Sequence, residues 1–181
     1  MGRGGFLDIT YRSGIGISSY TTSGWGTGIF DFDNDGLKDI FTSGSHVSEN
    51  IEMYRNQKYK LPNAVWRNLG GARFKIVGAQ AGPVFRVAAA HRGVAFGDLD
   101  NDGRVDAVVS VIGAKAEILR NVSTRENNWI LIVPEGGESN RDGIGTVIKL
   151  TGESGLVQYN LNSAHRQRSG RWLCSVDAAR G

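Results

Sequence analysis

A nine-residue phrase occurs twice in this chain. "DFDNDGLKD", residues 31 to 39, and "DLDNDGRVD", residues 98 to 106, each set four aspartates around one glycine: Asp31, Asp33, Asp35 and Asp39 around Gly36, and Asp98, Asp100, Asp102 and Asp106 around Gly103. Two carboxylates about 4 Å apart repel by roughly 4 kcal/mol at an effective dielectric near 20, so four on one turn would splay it or force protonation. Positive charge has to sit among them.

The DxDxDGxxD spacing offers the oxygen ligands of a hard cation from one compact turn. Carboxylates at the first, third and fifth places point inward, glycine takes the backbone through a sharp bend, the seventh residue gives a carbonyl and the ninth another carboxylate. The predicted ligands are Asp31, Asp33, Asp35, the Leu37 carbonyl and Asp39 in one loop, and Asp98, Asp100, Asp102, the Arg104 carbonyl and Asp106 in the other. All-oxygen, multiply negative ligation favours Ca2+ over Mg2+, which sheds water reluctantly, and over zinc, which prefers nitrogen or sulfur. Two Ca2+ sites are therefore expected. An EF-hand is excluded, because the twelfth places hold Thr42 and Val109 where a bidentate Glu is required. The competing reading, an acidic surface turn without metal, is disfavoured by recurrence of the whole pattern with its glycine.

The repetition extends beyond the loops. "GGFLDITYRSGI" from Gly4 and "GGARFKIVGAQAG" from Gly70 precede them, and "VWRN" ending at Asn68 and "EILRN" ending at Asn121 follow, giving a unit of about 65 residues. Flanking the second loop, "RGVAFG" and "DAVVSV" are short, β-branched and glycine-bounded, which predicts that each acidic loop joins two antiparallel strands. Residues 43 to 63 read as a longer surface excursion with room for a short helical turn. From about Asn127 the pattern changes: "WILIVP" and "TVIKLTGESGLVQYNL" read as strands, separated by the polar corner "SNRDGIG", with a module boundary near Asn121 to Asn128. Beyond His165 the arginine-rich text has no apolar period, and residues 165–181 are expected to be loosely ordered.

Composition adds bounds. Of the 181 residues, 26 are glycine and only 3 proline, which fits many tight turns and argues against flexible low-complexity linkers. Eight of the 18 acidic residues lie in the two loops, so the rest of the surface is basic, with 21 Lys and Arg and a net charge of +3. Such a surface could attract polyanions, but no aromatic-interleaved basic stripe is present, and specific nucleic-acid binding is not expected. Cys174 stands alone, without a disulfide or zinc partner. No apolar run approaches the ~18 residues of a membrane helix, and the first residues lack the apolar core of a signal peptide.

"GVAFGDLDNDGRVDAVV" and "GWGTGIFDFDNDGLKDIF" resemble the FG-GAP/VCBS repeat, the Ca2+-loop-bearing blade of integrin-α-type β-propellers. "NNWILIVPEGGESNRDGIGTVIKL" resembles the ASPIC/UnbV module that follows such repeats in proteins similar to cartilage acidic protein. The resemblance spans roughly residues 4 to 160. It implies an all-β fold: a partial β-propeller of about two blades over residues 1–126, a small and incomplete β module over 127–164, and an atypical tail. It places Ca2+ on the loop residues already named. Because such propellers close with more than two blades, it also implies that further blades of a parent chain are partners.

Other constellations are weaker. His46, His91 and His165 lie far apart with no nucleophile elbow and are expected at the surface or at blade edges, while carboxylates saturated by Ca2+ are poor proton carriers, so catalysis is not expected. Asn140, Arg141 and Asp142 could form a ligand site, or simply a turn whose Asn and Asp satisfy their own backbone. Asn121-Val122-Ser123 is a glycosylation sequon, and Trp25 and Trp66 are expected in blade cores. The leading functional expectation is a noncatalytic, extracellular, calcium-binding interaction or adhesion module, secreted or at the cell surface, with a protein or glycan ligand. The alternatives are a polyanion-binding protein and an accessory domain of a secreted enzyme.

Overall fold

The computed structural model describes residues 5–124, 127–137, 140–152 and 155–162, and the backbone of 172–176. After a single helical turn, α1 (Ile15–Ser18), the chain forms a four-stranded antiparallel sheet of β1 (Gly24–Phe30), β2 (Asp39–Gly44), β3 (Ala64–Asn68) and β4 (Phe74–Ile76), in that spatial order. A second short turn, α2 (Ile51–Tyr54), lies in the β2–β3 excursion. Two 3-10 turns, Gly78–Ala81 and Pro83–Arg86, lead to a three-stranded sheet of β5 (His91–Gly97), β6 (Asp106–Val111) and β7 (Glu117–Leu119). Phe30 pairs with Asp39 and Gly97 with Asp106, so each acidic loop closes a hairpin in the expected way. The chain is thus mostly β, with antiparallel sheets built as two propeller-type blades. Among the described residues no helix is long and apolar enough to cross a membrane.

The sequence of β1, "GWGTGIF", explains how the blades meet. Glycine in a strand interior forfeits packing and marks close approach of another backbone or side chain. A Cβ on Gly26 would lie 2.6 Å from Val94 Cγ1, and one on Gly28 would lie 2.3 Å from Phe96 Cε2. The bare glycine face of β1 therefore receives the side chains of β5 directly. Behind this seam Phe41, Val65 and Val109 are buried, flanked by Phe32, Phe85 and Phe96. Ring centroids lie 4.9 Å apart for Phe30–Phe96 and 5.4 Å, edge to face, for Phe41–Phe96. Such pairs add about 0.5–1.5 kcal/mol each beyond the area they bury.

The far end of the seam is polar and corrects two expectations. His91 does lie in the edge strand of its sheet, β5, but is not at the surface: it is 1% exposed, with Nδ1 3.0 Å from the Gly44 carbonyl and 2.9 Å from that of Leu61, and Nε2 3.2 Å from Glu117 Oε2. An imidazole can be buried there because both ring nitrogens find partners at the meeting of three strands. Trp25 is not a core residue but 45% exposed, stacked on the Arg92 guanidinium 4.4 Å from its ring centre. Its place beside bare glycines leaves it on the outer side of β1. Trp66 is buried as expected, and its indole N–H donates to Ser18 Oγ at 2.8 Å.

One further segment departs from the sequence reading, and one from the repeat. The repeat is imperfect around Phe6, where no strand forms although its equivalent, β4, pairs with β3; among the described residues no strand lies beside Phe6, which is fully exposed. In the opposite direction, part of the tail is ordered: β11 (Trp172–Val176) pairs antiparallel with β8 (Asn128–Ile132) along its whole length. Backbone pairing with a strand some 40 residues earlier supplies the order that the tail's own apolar pattern does not. His165 and the rest of that segment lie outside the described residues. Between them β9 (Val147–Thr151) and β10 (Val157–Leu161) form the expected hairpin.

Candidate metal centres

Each acidic loop is wound around its own first aspartate. Asp31 accepts the N–H groups of Asp35 at 3.0 Å and Gly36 at 2.8 Å, and Asp98 accepts those of Asp102 at 3.0 Å and Gly103 at 2.9 Å. The bend that permits this passes through left-handed backbone at Gly36 (φ 90°) and Gly103 (φ 81°), and at Asn34 (φ 55°) and Asn101 (φ 57°), where Asn tolerates what most residues do not. The last aspartate is held by two amides. Asp39 accepts from Phe32 N at 3.2 Å and Asn68 N at 2.8 Å, and Asp106 accepts from Leu99 N at 2.9 Å and Asn121 N at 2.7 Å.

These bonds bring three carboxylates of each loop together. Ligand atoms of Asp31, Asp33 and Asp39 lie within 4.8 Å of one another, as do those of Asp98, Asp100 and Asp106, a spacing that could hold a metal ion. Asp35 and Asp102 are not in these groups. Their Oδ1 atoms accept from the N–H of Leu37 at 2.9 Å and Arg104 at 3.0 Å, which turns them onto the loop backbone. Asp33 Oδ1 is buried and has no hydrogen-bond partner among the described residues. A buried carboxylate oxygen left without a donor is costly unless a cation faces it. The donor set, oxygen only and several times negative, fits a hard divalent ion.

Two arginines, which the sequence reading did not assign to the sites, complete them. Arg67 Nε lies 2.7 Å from Asp33 Oδ2 and its Nη2 3.2 Å from Asp35 Oδ2. Arg120 repeats the arrangement, with Nε 2.7 Å from Asp100 Oδ2 and Nη2 3.8 Å from Asp102 Oδ2. Arg104 also pairs with Asp102. The signal was present in the recurring Arg-Asn that ends "VWRN" and "EILRN": the arginine neutralises the middle of the loop while the asparagine N–H holds its last carboxylate. Burial raises the Asp33 carboxyl, helped by Asp35 and opposed by Arg67, and burial pushes Asp39 up to about 7 despite the amide of Asn68. The carboxylates, Asp33 first, hold the Arg67 guanidinium above its ordinary value.

Residues of the C-terminal segment rest on the loop glycines. A Cβ on Gly103 would lie 2.2 Å from the Trp129 ring, and one on Gly36 would lie 2.0 Å from Leu156 Cδ2. Lys38 Nζ donates to the Tyr159 carbonyl at 2.6 Å, and Asn127 Nδ2 donates to the Asn34 carbonyl at 2.8 Å. The glycine of each motif thus serves both the bend and the docking of a later segment.

The remaining candidates resolve as structure. Asn140 exchanges two hydrogen bonds with the backbone of Ile144, at 2.6 and 3.0 Å, which is the turn reading of that corner. Asn121 Nδ2 donates to the carbonyls of Phe32 at 2.7 Å and Val105 at 3.2 Å, so the sequon's acceptor nitrogen is engaged inside the fold. His46 Nδ1 accepts from Ser48 N at 3.0 Å, a local contact remote from His91 in the chain.

No curated protein matches the chain. A family model for the FG-GAP-like repeat matches residues 31–109, the stretch that runs from the first acidic loop through the second to the middle of β6.

Proposed function

We propose that this chain is a noncatalytic calcium-binding module of an extracellular interaction or adhesion protein, in which two Ca2+ ions rigidify adjacent propeller blades. The observation that carries the reading is the duplicated centre: two loops 67 positions apart in sequence reproduce the same hydrogen bonds, the same carboxylate triad and the same arginine partner. Asp31, Asp33, Asp39 and the Leu37 carbonyl would hold one ion and Asp98, Asp100, Asp106 and the Arg104 carbonyl the other, with Asp35 and Asp102 joining them on turning their side chains. Bound Ca2+ supplies charge neutralisation within each loop. The chain's own amides orient the carboxylates, and Arg67 and Arg120 keep the middle carboxylates from repelling one another. The FG-GAP-like match supports the reading, since repeats of that kind are known to bind Ca2+ and are typical of extracellular proteins. The similarity of residues 127 onward to the ASPIC/UnbV module is part of the same proposal and rests on sequence alone. The ligand is an extracellular protein or glycan, with further blades as neighbours.

Arg67, Arg104 and Arg120 pair with loop carboxylates, which leaves less unpaired positive charge for a polyanion. Calorimetric titration of the full chain is expected to give a stoichiometry near two for Ca2+, with Mg2+ binding more weakly, and Asp100→Ala is expected to remove one site. Indifference to Ca2+ combined with tight Zn2+ binding would refute the assignment.

A further inference from the structure

We propose that the two cation centres are coupled, so that filling one raises the affinity of the other, and that the Asn121 side chain is the principal link. The proposal rests on the reading of the two loops as cation sites. It arises from a path of hydrogen bonds that runs from a carboxylate of one centre to a carboxylate of the other. Asp39 Oδ2 accepts from Phe32 N at 3.2 Å; the Phe32 carbonyl accepts from Asn121 Nδ2 at 2.7 Å; and Asn121 N donates to Asp106 Oδ1 at 2.7 Å. Ser123 Oγ reinforces the crossing with a 3.1 Å bond to the same Phe32 carbonyl.

A second crossing runs beside the first. Asn34, between Asp33 and Asp35 in the first loop, is 5% exposed and donates its Nδ2 to the Gly103 carbonyl at 3.1 Å. The N–H of Gly103 in turn donates to Asp98 Oδ2 at 2.9 Å. The two loops are therefore fastened to each other through Phe32, Asn121 and Gly103, each of which also holds a carboxylate of the loop in its own blade.

The repeat itself shows that the crossing is additional to what a blade needs. Asn68 is the counterpart of Asn121, and its Nδ2 donates to the Lys38 carbonyl at 3.0 Å, within its own blade. Asn121 makes the corresponding bond to the Val105 carbonyl and adds the shorter one to Phe32 of the neighbouring blade. An ion in the first loop fixes Phe32 and Asn34, and these fix Asn121 and Gly103, whose N–H groups hold Asp106 and Asp98. The second ion then orders less chain on binding, which is positive coupling without a change of shape. Direct repulsion between two divalent ions acts with the opposite sign, and salt screens it only weakly where ligands are as buried as Asp39 and Asp106. The sign of the measured coupling decides which effect wins.

The test is Ca2+ calorimetry on the full-length chain and on Asp31→Ala and Asp98→Ala, each of which leaves one centre. We expect the overall two-ion association constant of the unaltered chain to exceed the product of the two single-centre constants by about fivefold or more, the low end of typical coupling. In an Asn121→Ala, Asn34→Gly background, where Gly keeps the left-handed backbone of position 34, the same ratio should fall toward one. Should that pair fail to fold, judged by circular dichroism, Ser123→Ala should lower the ratio partway. Two ions bound with a ratio of one or below in the unaltered chain, or a ratio untouched by these changes, would overturn the coupling and leave the metal assignment standing. Failure to bind Ca2+ at all would overturn both.

Discussion

Without a cation, raising the pH should weaken this fold, the reverse of what salt-bridged aspartates do. Burial, aided by Asp33 and Asp35, pushes the Asp39 carboxyl up to about 7 from an ordinary value of 3.8, against the pull of the Asn68 and Phe32 amides. Between these two values the folded chain binds more protons than the unfolded one, so stability falls with rising pH across that window and levels off above it. Three pH units correspond to about 4 kcal/mol. Asp33, also raised, adds to the same slope, while the exposed Asp8 and Glu52 are lowered and oppose it weakly. Since a domain this size has some 5–15 kcal/mol of stability in all, a loss of that order is decisive. On the proposed reading Ca2+ would take the place of the protons, so the loss should disappear in its presence, and Ca2+ affinity should itself rise between pH 5 and 7 as fewer protons must leave. Urea denaturation followed by tryptophan fluorescence at pH 5, 6, 7 and 8, with chelator and with excess Ca2+, measures both slopes, and Asp39→Asn should flatten the chelated one. A chelated chain that grows more stable from pH 5 to 8, or an unchanged slope in Asp39→Asn, would refute the reasoning.

Two structural predictions accompany it. Gly28→Ala places a methyl 2.3 Å from Phe96 Cε2, and because Phe96 is held by Phe30, Phe32 and Phe41 it cannot swing clear, so a destabilisation of about 1–3 kcal/mol is expected. Gly97→Ala, whose Cβ meets nothing within 4 Å, should change the urea midpoint by no more than about 0.5 kcal/mol equivalent, and equal effects at the two positions would contradict the seam. Deleting residues 172–181 removes the strand paired with β8, which carries Trp129 over Gly103; both the melting temperature and the Ca2+ affinity of the second loop should drop. A truncated chain that matches the full one in both would show that β11 contributes nothing to that site.

Local rules alone made the acidic loops readable. An aspartate folding back on amides four and five residues ahead, a glycine at a left-handed bend and strands on either side depend on neighbours in the chain, so nine residues suffice to write them. The strand pairs β1–β2, β5–β6 and β9–β10 were legible for the same reason: each is a hairpin whose turn residues lie next to its apolar alternation. What the tertiary structure decided comes from residues distant in sequence. Arg67 and Arg120 reach the carboxylates across 34 and 20 positions, Asn121 reaches Phe32 across 89, and the pattern of "WRN" and "LRN" gave their recurrence without their direction. Fixing His91 in the interior required Gly44 of β2, Leu61 of the β2–β3 excursion and Glu117 of β7 to converge on its nitrogens, and no periodicity encodes such a meeting. The order in β11 likewise belongs to its partner strand. Glycines 26 and 28 show the division most plainly: the sequence wrote two gaps in a strand, and only the packing of β5 against that face determined that Val94 and Phe96 fill them.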